Sequence, residues 1–583
     1  MITALFSQFK GQSKILLQDS VYAMIQIVKN LEGKRLHMSK IGHYLQEHLL
    51  GEVTESADAR SFFSTDMSIF SITPSVIVFP RSEHDVRKTA RFTWQLAERG
   101  KVVPITARGA GTDYSGAAIG QGIVISFPAH MNRIVQLDTK SGAIIVEPGL
   151  TYGRLQQTLH THDRFLPPFP SSIEFSTVGG AVANNASGVK SYKYGTTLDY
   201  VKSLRVVLAN GEVITTGRLS KRELSKKLGL TTFEGEVYRQ IDALVEEHKD
   251  TITKMIPKTS KNTAGYNIAD VKLANGSIDL TPLFVGSQGT LGIITEITLG
   301  TEDFNPETTL FMANFESVDS ACEAVLALKQ LPDEPSAIEL VDGQLLSFIE
   351  RLNPNQLKNC FDEKNLPKVV LFVEIDSISE RNRRKQAKRV RQVFERLATS
   401  YKEATDYTEQ TRLWKVRETS AGLLAHSEKH LKAVPIIDDA IVPVEGMATL
   451  IKGAYKLFSD ARLQIGIWGH AGSGNLHIFP FFDLSQLGDR QRAFRLYEEY
   501  YKLVLSLGGC TSGQHNDGRL RAPLLPRQFG SEGYAVLQKI KTIFDPHGIL
   551  NPGVKTGVSL DDIKPIVRNS YSLNYLHTHM PRT

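Results

Sequence analysis

Cysteine is scarce in this sequence: 583 residues contain three, Cys322, Cys360 and Cys510, with no C-x-x-C pair. Such spacing excludes a disulfide framework and a self-contained iron–sulfur cluster, and it points to a reducing cytosol. Long apolar runs are also missing. No stretch of about 18 uncharged apolar residues occurs, so no spanning helix is expected. The chain is read as cytoplasmic, with peripheral attachment to the inner face of a membrane as the alternative. Strong charge of one sign is absent as well. A net charge of +6 without an aromatic-interleaved basic stripe makes nucleic acid an unexpected partner. What is present, 41% apolar and 22% charged residues, is the balance of a soluble globular protein of enzyme size, and the length calls for two domains.

One segment concentrates charge: Arg381, Arg383, Arg384, Lys385, Lys388, Arg389 and Arg391. With Val390, Phe394 and Leu397 as an inner face, it reads as an amphipathic helix. A solvated outer face is the favoured reading, and a docking surface for acidic membrane or an electron acceptor is the other. Residues 1–37, amphipathic around Ile15–Leu31, carry charges too often for a signal peptide. They read as an extension, or as an upstream start ahead of Met38, so a chain beginning at Met38 should still fold.

From Pro74 the pattern becomes strand Ser75–Phe79, helix Ser82–Arg99 and strand Val102–Ile105. The loop that follows holds Arg108, Gly109, Ala110, Gly111, Thr112 and Asp113. Small residues there let consecutive backbone N–H groups converge on an anion such as a pyrophosphate, although such a loop taken alone is more often just a turn. It has neither the G-x-G-x-x-G spacing nor a Walker lysine. A second stretch runs from Pro170 to Gly188. Gly179 and Gly180 permit close backbone approach, while Thr177, Asn184, Asn185 and Ser187 supply neutral donors and acceptors suited to a large flat cofactor. Leu204–Leu208, Asn210-Gly211 and Val213–Thr215 read as a hairpin. A third piece, Gly286–Ile297, again leads from glycines into a β-branched strand.

These three segments, in this order and spacing, resemble the flavin-binding domain of the vanillyl-alcohol-oxidase (PCMH-type) flavoproteins. The downstream half resembles the D-lactate dehydrogenase, glycolate oxidase FAD-subunit and D-2-hydroxyglutarate dehydrogenase branch. The likeness covers about residues 40–555. It implies an α+β protein: a two-subdomain FAD-binding domain over 38–300, an α+β cap with an antiparallel sheet over 301–510, a catalytic loop and returning segment over 511–555, and a tail over 556–583. It also implies that Arg108–Asp113, Pro170 and Thr177–Gly188 hold the pyrophosphate and adenine side of FAD. Gly289, Ile293 and Ile294 would lie along the cofactor, and Asn551, in Phe544–Gly553, would approach the flavin ring. No histidine stands in the Arg108–Ser115 loop, where some relatives attach flavin covalently, so non-covalent FAD is expected.

The chemistry falls downstream. Arg417, in Trp414–Glu418, is either an ion-pair partner of a nearby acid or, by the resemblance, the grip on a substrate carboxylate, which a planar guanidinium suits. Lys432 matches a second cationic position. His470 and His477, in a glycine-rich stretch, could share a metal or a substrate, or only bond to backbone. Relatives bind a divalent cation through the two histidines and a glutamate. This chain has Gln514 in the glutamate's place, which offers an oxygen without charge and weakens a zinc or manganese site formed by His470, His477 and Gln514. Gln514→Glu should therefore raise metal affinity. Gln288 likewise replaces a usual glutamate, Ser473 stands where aspartate is common, and Phe479 favours a less polar pocket than hydroxyglutarate would want.

The implied reaction is FAD-dependent oxidation of a D-lactate-like D-2-hydroxy acid, with His515 as base, Arg417 on the carboxylate, and His470 and His477 polarising the hydroxyl with or without a metal. The implied partners are that small acid and an electron acceptor: a flavoprotein, a quinone or an iron–sulfur protein. A homodimer is one assembly considered. The alternatives are a non-catalytic flavin-binding subunit of a larger redox complex and a transferase like the alkyl-dihydroxyacetone-phosphate synthases.

Overall fold

The computed structural model describes residues 38–352, 354–358, 360–361, 366–418, 427–428, 431–569 and 571. The proposed extension over residues 1–37 lies outside the described residues. Strands β1 (Glu52–Thr54), β2 (Val76–Phe79), β3 (Ile105–Arg108) and β4 (Ile123–Ser126) form a sheet in the order β1-β2-β4-β3. β2, β4 and β3 run parallel, which requires a crossover, and helix Glu83–Glu98 supplies one. The strand expected at Val102–Ile105 instead begins at Ile105. Pro104 has no N–H to give a ladder, and its carbonyl accepts from Ile123 N at 2.8 Å, so regular pairing starts one residue later.

A second, antiparallel sheet contains β5 (Ile134–Asp138), β6 (Ala143–Val146), β8 (Val201–Val207), β9 (Val213–Thr215) and β10 (Ile293–Leu299), in the order β5-β6-β10-β8-β9. The short β7 (Arg164–Phe165) pairs with β11 (Glu302–Asp303). The β8–β9 hairpin turns at Gly211, whose φ of +85° suits glycine, and Glu212 N donates to Asn210 Oδ1.

Among the described residues the third sheet has nine strands: β12 (Thr309–Phe315), β13 (Ala337–Asp342), β14 (Val369–Ile375), β15 (Ser400–Ala404), β16 (Ser427–Glu428), β17 (Leu431–Ala433), β18 (Ala440–Ile441), β19 (Ile465–His470) and β20 (Asn475–Phe482). All its pairings are antiparallel. The basic helix, Glu380–Leu397, buries Ala387, Val390, Val393 and Phe394, so Val393 rather than the half-buried Leu397 completes its inner face. Outward, Arg384 meets Glu380, Arg389 meets Asp333 and Arg391 meets Glu403, which is the pattern of a solvated, locally paired face.

The C-terminal residues are not a loose tail as far as they are described. Ile105 N donates to Ile549 O at 2.7 Å, laying residues 549–551 along β3. Farther on, Ser71 N donates to Ile566 O at 2.9 Å and Arg568 N to Ile69 O at 2.8 Å. Ile563, Val567 and Tyr571 are buried. Their apolar side chains, spaced among polar ones, give this segment a face that packs. Among the described residues, no helix is long and apolar enough to cross a membrane.

Candidate active site

β19 and β20 face each other with Trp468 opposite His477 and His470 opposite Asn475. The turn between them needs Gly474, at φ +73° with its Cβ position only 2.1 Å from Val442 O. His470 and His477 consequently stand with ring centroids 5.6 Å apart, and His515 stacks on His477 at 4.9 Å. Buried carboxylates fix all three imidazoles. His477 Nδ1 donates to Asp438 Oδ1 at 2.8 Å, and His515 Nδ1 donates to Asp438 Oδ2 at 2.5 Å. His470 Nδ1 donates to Glu339 Oε1 at 2.6 Å. A carboxylate only accepts, so each ring carries its proton on Nδ1 and, while neutral, presents a lone pair at Nε2.

Asp439, in the left-handed region at φ +68°, holds the His515 loop. Its carboxylate accepts from the backbone N–H of Gly513, Gln514 and His515, and from the Ser512 hydroxyl. Burial opposes charge on His515, but the Asp438 and Asp439 carboxylates outweigh it and hold the imidazole above its ordinary pKa. Burial pushes His470 down to about 4, so this ring is neutral at working pH. Asp438 and Glu339 stay below the usual carboxylate range, because their histidine and arginine partners offset the burial penalty.

Gln514 decides the question of a metal. Its Nε2 donates to His477 Nε2 at 3.0 Å, while its Oε1 accepts from Ser187 Oγ at 2.9 Å and Lys261 Nζ at 3.2 Å. An ammonium can only donate, so the amide is oriented with nitrogen toward the histidine. The group expected to be a third ligand thus caps the lone pair a cation would need. Asp438, His477 and His515 do bring ligand-type atoms within 4.8 Å of one another, but their contacts are direct hydrogen bonds that a cation would have to break. These donors do not fit a divalent cation.

The glycine-rich loops do fit a flavin dinucleotide. They press together closely: a Cβ on Gly109 would lie 2.1 Å from Thr177 Oγ1, and one on Gly188 would lie 1.9 Å from Phe169 O. Gly111 adopts φ +77°. Polar side chains brace the loops from behind. Asp113 accepts from Ser115 N, Ala117 N and Asn184 Nδ2, and Arg108 is buried with Nη1 on Ala118 O. Between them, Gly109, Ala110, Thr112, Gly179, Gly180 and Gly289 remain partly accessible. Small residues with backbone open on facing loops are what a pyrophosphate and a flat ring require.

Several expected cofactor contacts prove to be braces instead. Asn551 is fully buried and spends its amide on Ala117 O, Gln288 O and the Thr106 hydroxyl. Asn185 caps a turn at φ +51° and accepts from Leu198 N. Ser187 turns to Lys261, and Ile293 and Ile294 are core residues of β10. Pro170 remains half-buried beside the Gly188 contact. Gln288 donates to Ser115 Oγ and Asn184 Oδ1 and accepts from Gly518 N. A glutamate could not make both donations, so this glutamine serves the loops.

Arg417 places Nε and Nη2 on Glu339 Oε2, at 2.8 and 2.6 Å, so its charge is matched within the protein. Lys432 is not brought to the histidines. It pairs with Phe482, five residues and about 17 Å along β20 from His477, and the odd spacing puts it on the opposite face. Glu339, Asp438, Asp439 and Lys261 escaped sequence reasoning. Paired acids inside the apolar run Val434–Val442, and an acid inside Ala337–Val341, were signals of buried, partnered charge. Lys261 carried no such signal. An aromatic wall borders the histidines: Tyr114 lies 5.1 Å from His515 and 6.1 Å from Phe479, which meets Trp468 at 4.7 Å.

Residues 74–217 match the family described as "FAD binding domain", and residues 305–554 match "FAD linked oxidases, C-terminal domain". Glycolate oxidase subunit GlcD of Bacillus subtilis is 30% identical over 486 residues, covering 82% of this chain and 88% of that protein. D-lactate dehydrogenase of Archaeoglobus fulgidus is 28% identical, covering 82% and 90%. D-2-hydroxyglutarate dehydrogenase of Escherichia coli is 30% identical over 87% of this chain, which spans 50% of that enzyme's length. Among solved structures, p-cresol methylhydroxylase superposes with a TM-score of 0.65 at 15% identity, covering 90% of this chain and 98% of that one. An alkyldihydroxyacetonephosphate synthase does so with 0.59 at 18%, covering 89% and 86%, a likeness of fold.

Proposed function

Because this chain belongs to the family of FAD-linked oxidases, we propose that it oxidises a D-2-hydroxy acid to the 2-oxo acid. FAD, when bound non-covalently in the glycine-loop cradle, supplies the hydride acceptor. The observation that carries the reading is the row of three imidazoles anchored by buried carboxylates beside that cradle. His515 Nε2 takes the hydroxyl proton, and Asp438 stabilises the imidazolium that results. His470 is neutral with a lone pair at Nε2, whereas His477 already spends its Nε2 lone pair on the Gln514 amide. They have no proton there to give an alkoxide, so the polarising role first expected of them is not available to these tautomers. Arg417 fixes Glu339 and, through it, His470, rather than gripping the substrate. The wall of Tyr114, Trp468 and Phe479 suits the small apolar side chain of a D-lactate-like acid.

Anaerobic addition of D-lactate, D-2-hydroxyglutarate or glycolate to the flavin-loaded protein tests this. One of them should bleach the flavin absorbance, D-lactate fastest. A base must be unprotonated to act, so the reduction rate should rise with pH through a midpoint above imidazole's ordinary 6.5, the direction in which His515 is held. If no acid in a broad panel bleaches the flavin, the chain is a flavin-binding subunit or a transferase instead.

A further inference from the structure

The buried carboxylates around the histidines are all matched. Glu339 meets Arg417 and His470, Asp438 meets two imidazole N–H groups, and Asp439 meets three backbone N–H groups and a hydroxyl. Lys261 is different. It is 9% exposed, and it donates only to neutral oxygens, Ser187 Oγ at 2.6 Å and Gln514 Oε1 at 3.2 Å. Among the described residues no carboxylate lies within ion-pair distance of it, although Asp439 and Glu339 act on it through space. Among the described residues, one of its three donors has no acceptor. A buried, unmatched ammonium is costly unless an anion arrives to meet it.

Its position says which anion. Ser187 belongs to the loop of the flavin cradle, and Gln514 bridges from Lys261 to His477 Nε2 at 3.0 Å. Lys261 therefore stands where the cradle and the imidazole row meet. On the reading that this site takes a 2-hydroxy acid, we propose that Lys261 is the catalytic cation that receives the acid's anionic end, and that Gln514 keeps this charge available by being neutral. Arg417 cannot serve, because Glu339 already matches it. A glutamate at 514 would pair with Lys261 and cancel its charge. A divalent cation on His470, His477 and that glutamate would then be needed to restore a positive site. The lysine–glutamine pair supplies such a site without metal.

Oxalate tests the proposal without turnover, since this small dianion has no hydrogen to lose and its binding can be read from the flavin absorbance of the loaded protein. Lys261→Met should weaken oxalate about 30-fold or more, and Lys261→Arg about fivefold, with flavin content unchanged. Gln514→Glu should weaken it about tenfold or more in the presence of a chelator, and added manganese should restore most of the loss while metal analysis shows it bound. Should Lys261→Met fail to take up flavin, Gln514→Glu decides alone. Oxalate affinity within about threefold of wild type in Lys261→Met, or in chelated Gln514→Glu, overturns the proposal, as does a wild-type protein that binds no oxalate. Oxalate binding that depends on Lys261, in a protein that no 2-hydroxy acid reduces, would sink the dehydrogenase reading and leave Lys261 as an anion site.

Discussion

Asp438→Asn is expected to slow flavin reduction by a 2-hydroxy acid about 10²- to 10³-fold while leaving flavin content intact. The reason is tautomeric. Asp438 accepts from both His477 and His515 through separate oxygens, and nothing but a carboxylate can accept from two N–H donors in this way. An asparagine offers one oxygen and one NH₂. Whichever imidazole meets the NH₂ must present a lone pair at Nδ1, so its proton moves to Nε2. If that ring is His515, the base has lost its lone pair. If it is His477, its Nε2–H opposes the N–H of Gln514 at 3.0 Å, and the Gln514–Lys261 arrangement is disturbed. The variant also removes a charge that holds His515 above its ordinary pKa, so the pH midpoint of the residual rate should fall. Stopped-flow reduction across pH gives both readouts. A rate within about threefold of wild type with an unmoved midpoint would show that Asp438 does not govern these rings.

The architecture was legible because it is local and periodic. The strand over Val76–Phe79, the helix over Glu83–Glu98 and the Asn210-Gly211 hairpin rest on hydrophobic period and turn chemistry, which a single chain displays directly. The glycine loops were legible because three of them recur in one order and spacing, although each alone reads as a turn. What sequence could not supply was pairing across long separations. Arg417 and Glu339 are 78 residues apart, and Lys261 and Gln514 are 253 apart. Whether a cation is free or matched is decided only by such contacts. So Arg417 had every local mark of a substrate grip and is paired, whereas Lys261, unremarkable in its own neighbourhood, has no carboxylate within ion-pair distance among the described residues. The bracing contacts of Asn551 and Gln288 were hidden on the same ground, because an amide's role depends on where both its ends go.

Lys555→Met is expected to cost about 3–5 kcal/mol of stability and to loosen the loop that carries His515. Lys555 and Asp517 form an ion pair at 2.8 Å with both side chains fully buried. The ammonium also donates to Gly265 O at 2.5 Å, and Asp517 Oδ2 accepts from Gly265 N at 2.7 Å. Three segments distant in sequence, around residues 265, 517 and 555, are thereby pinned at one point, two residues from His515. Methionine fills the volume but leaves the buried Asp517 carboxylate without its counter-charge, with Gly265 N still on Oδ2 and Oδ1 already lacking a hydrogen bond. A buried charge that can neither ionise cheaply nor reach water will drive the loop outward. The melting temperature should fall by about 5 °C or more, and flavin reduction should slow as His515 leaves its place over His477. The double variant Lys555→Met/Asp517→Asn removes the orphaned charge, so it should recover part of the stability that the single variant loses. A double variant no more stable than the single one would mean that the geometry of the hydrogen bonds, rather than the matching of charge, is what this buried pair contributes.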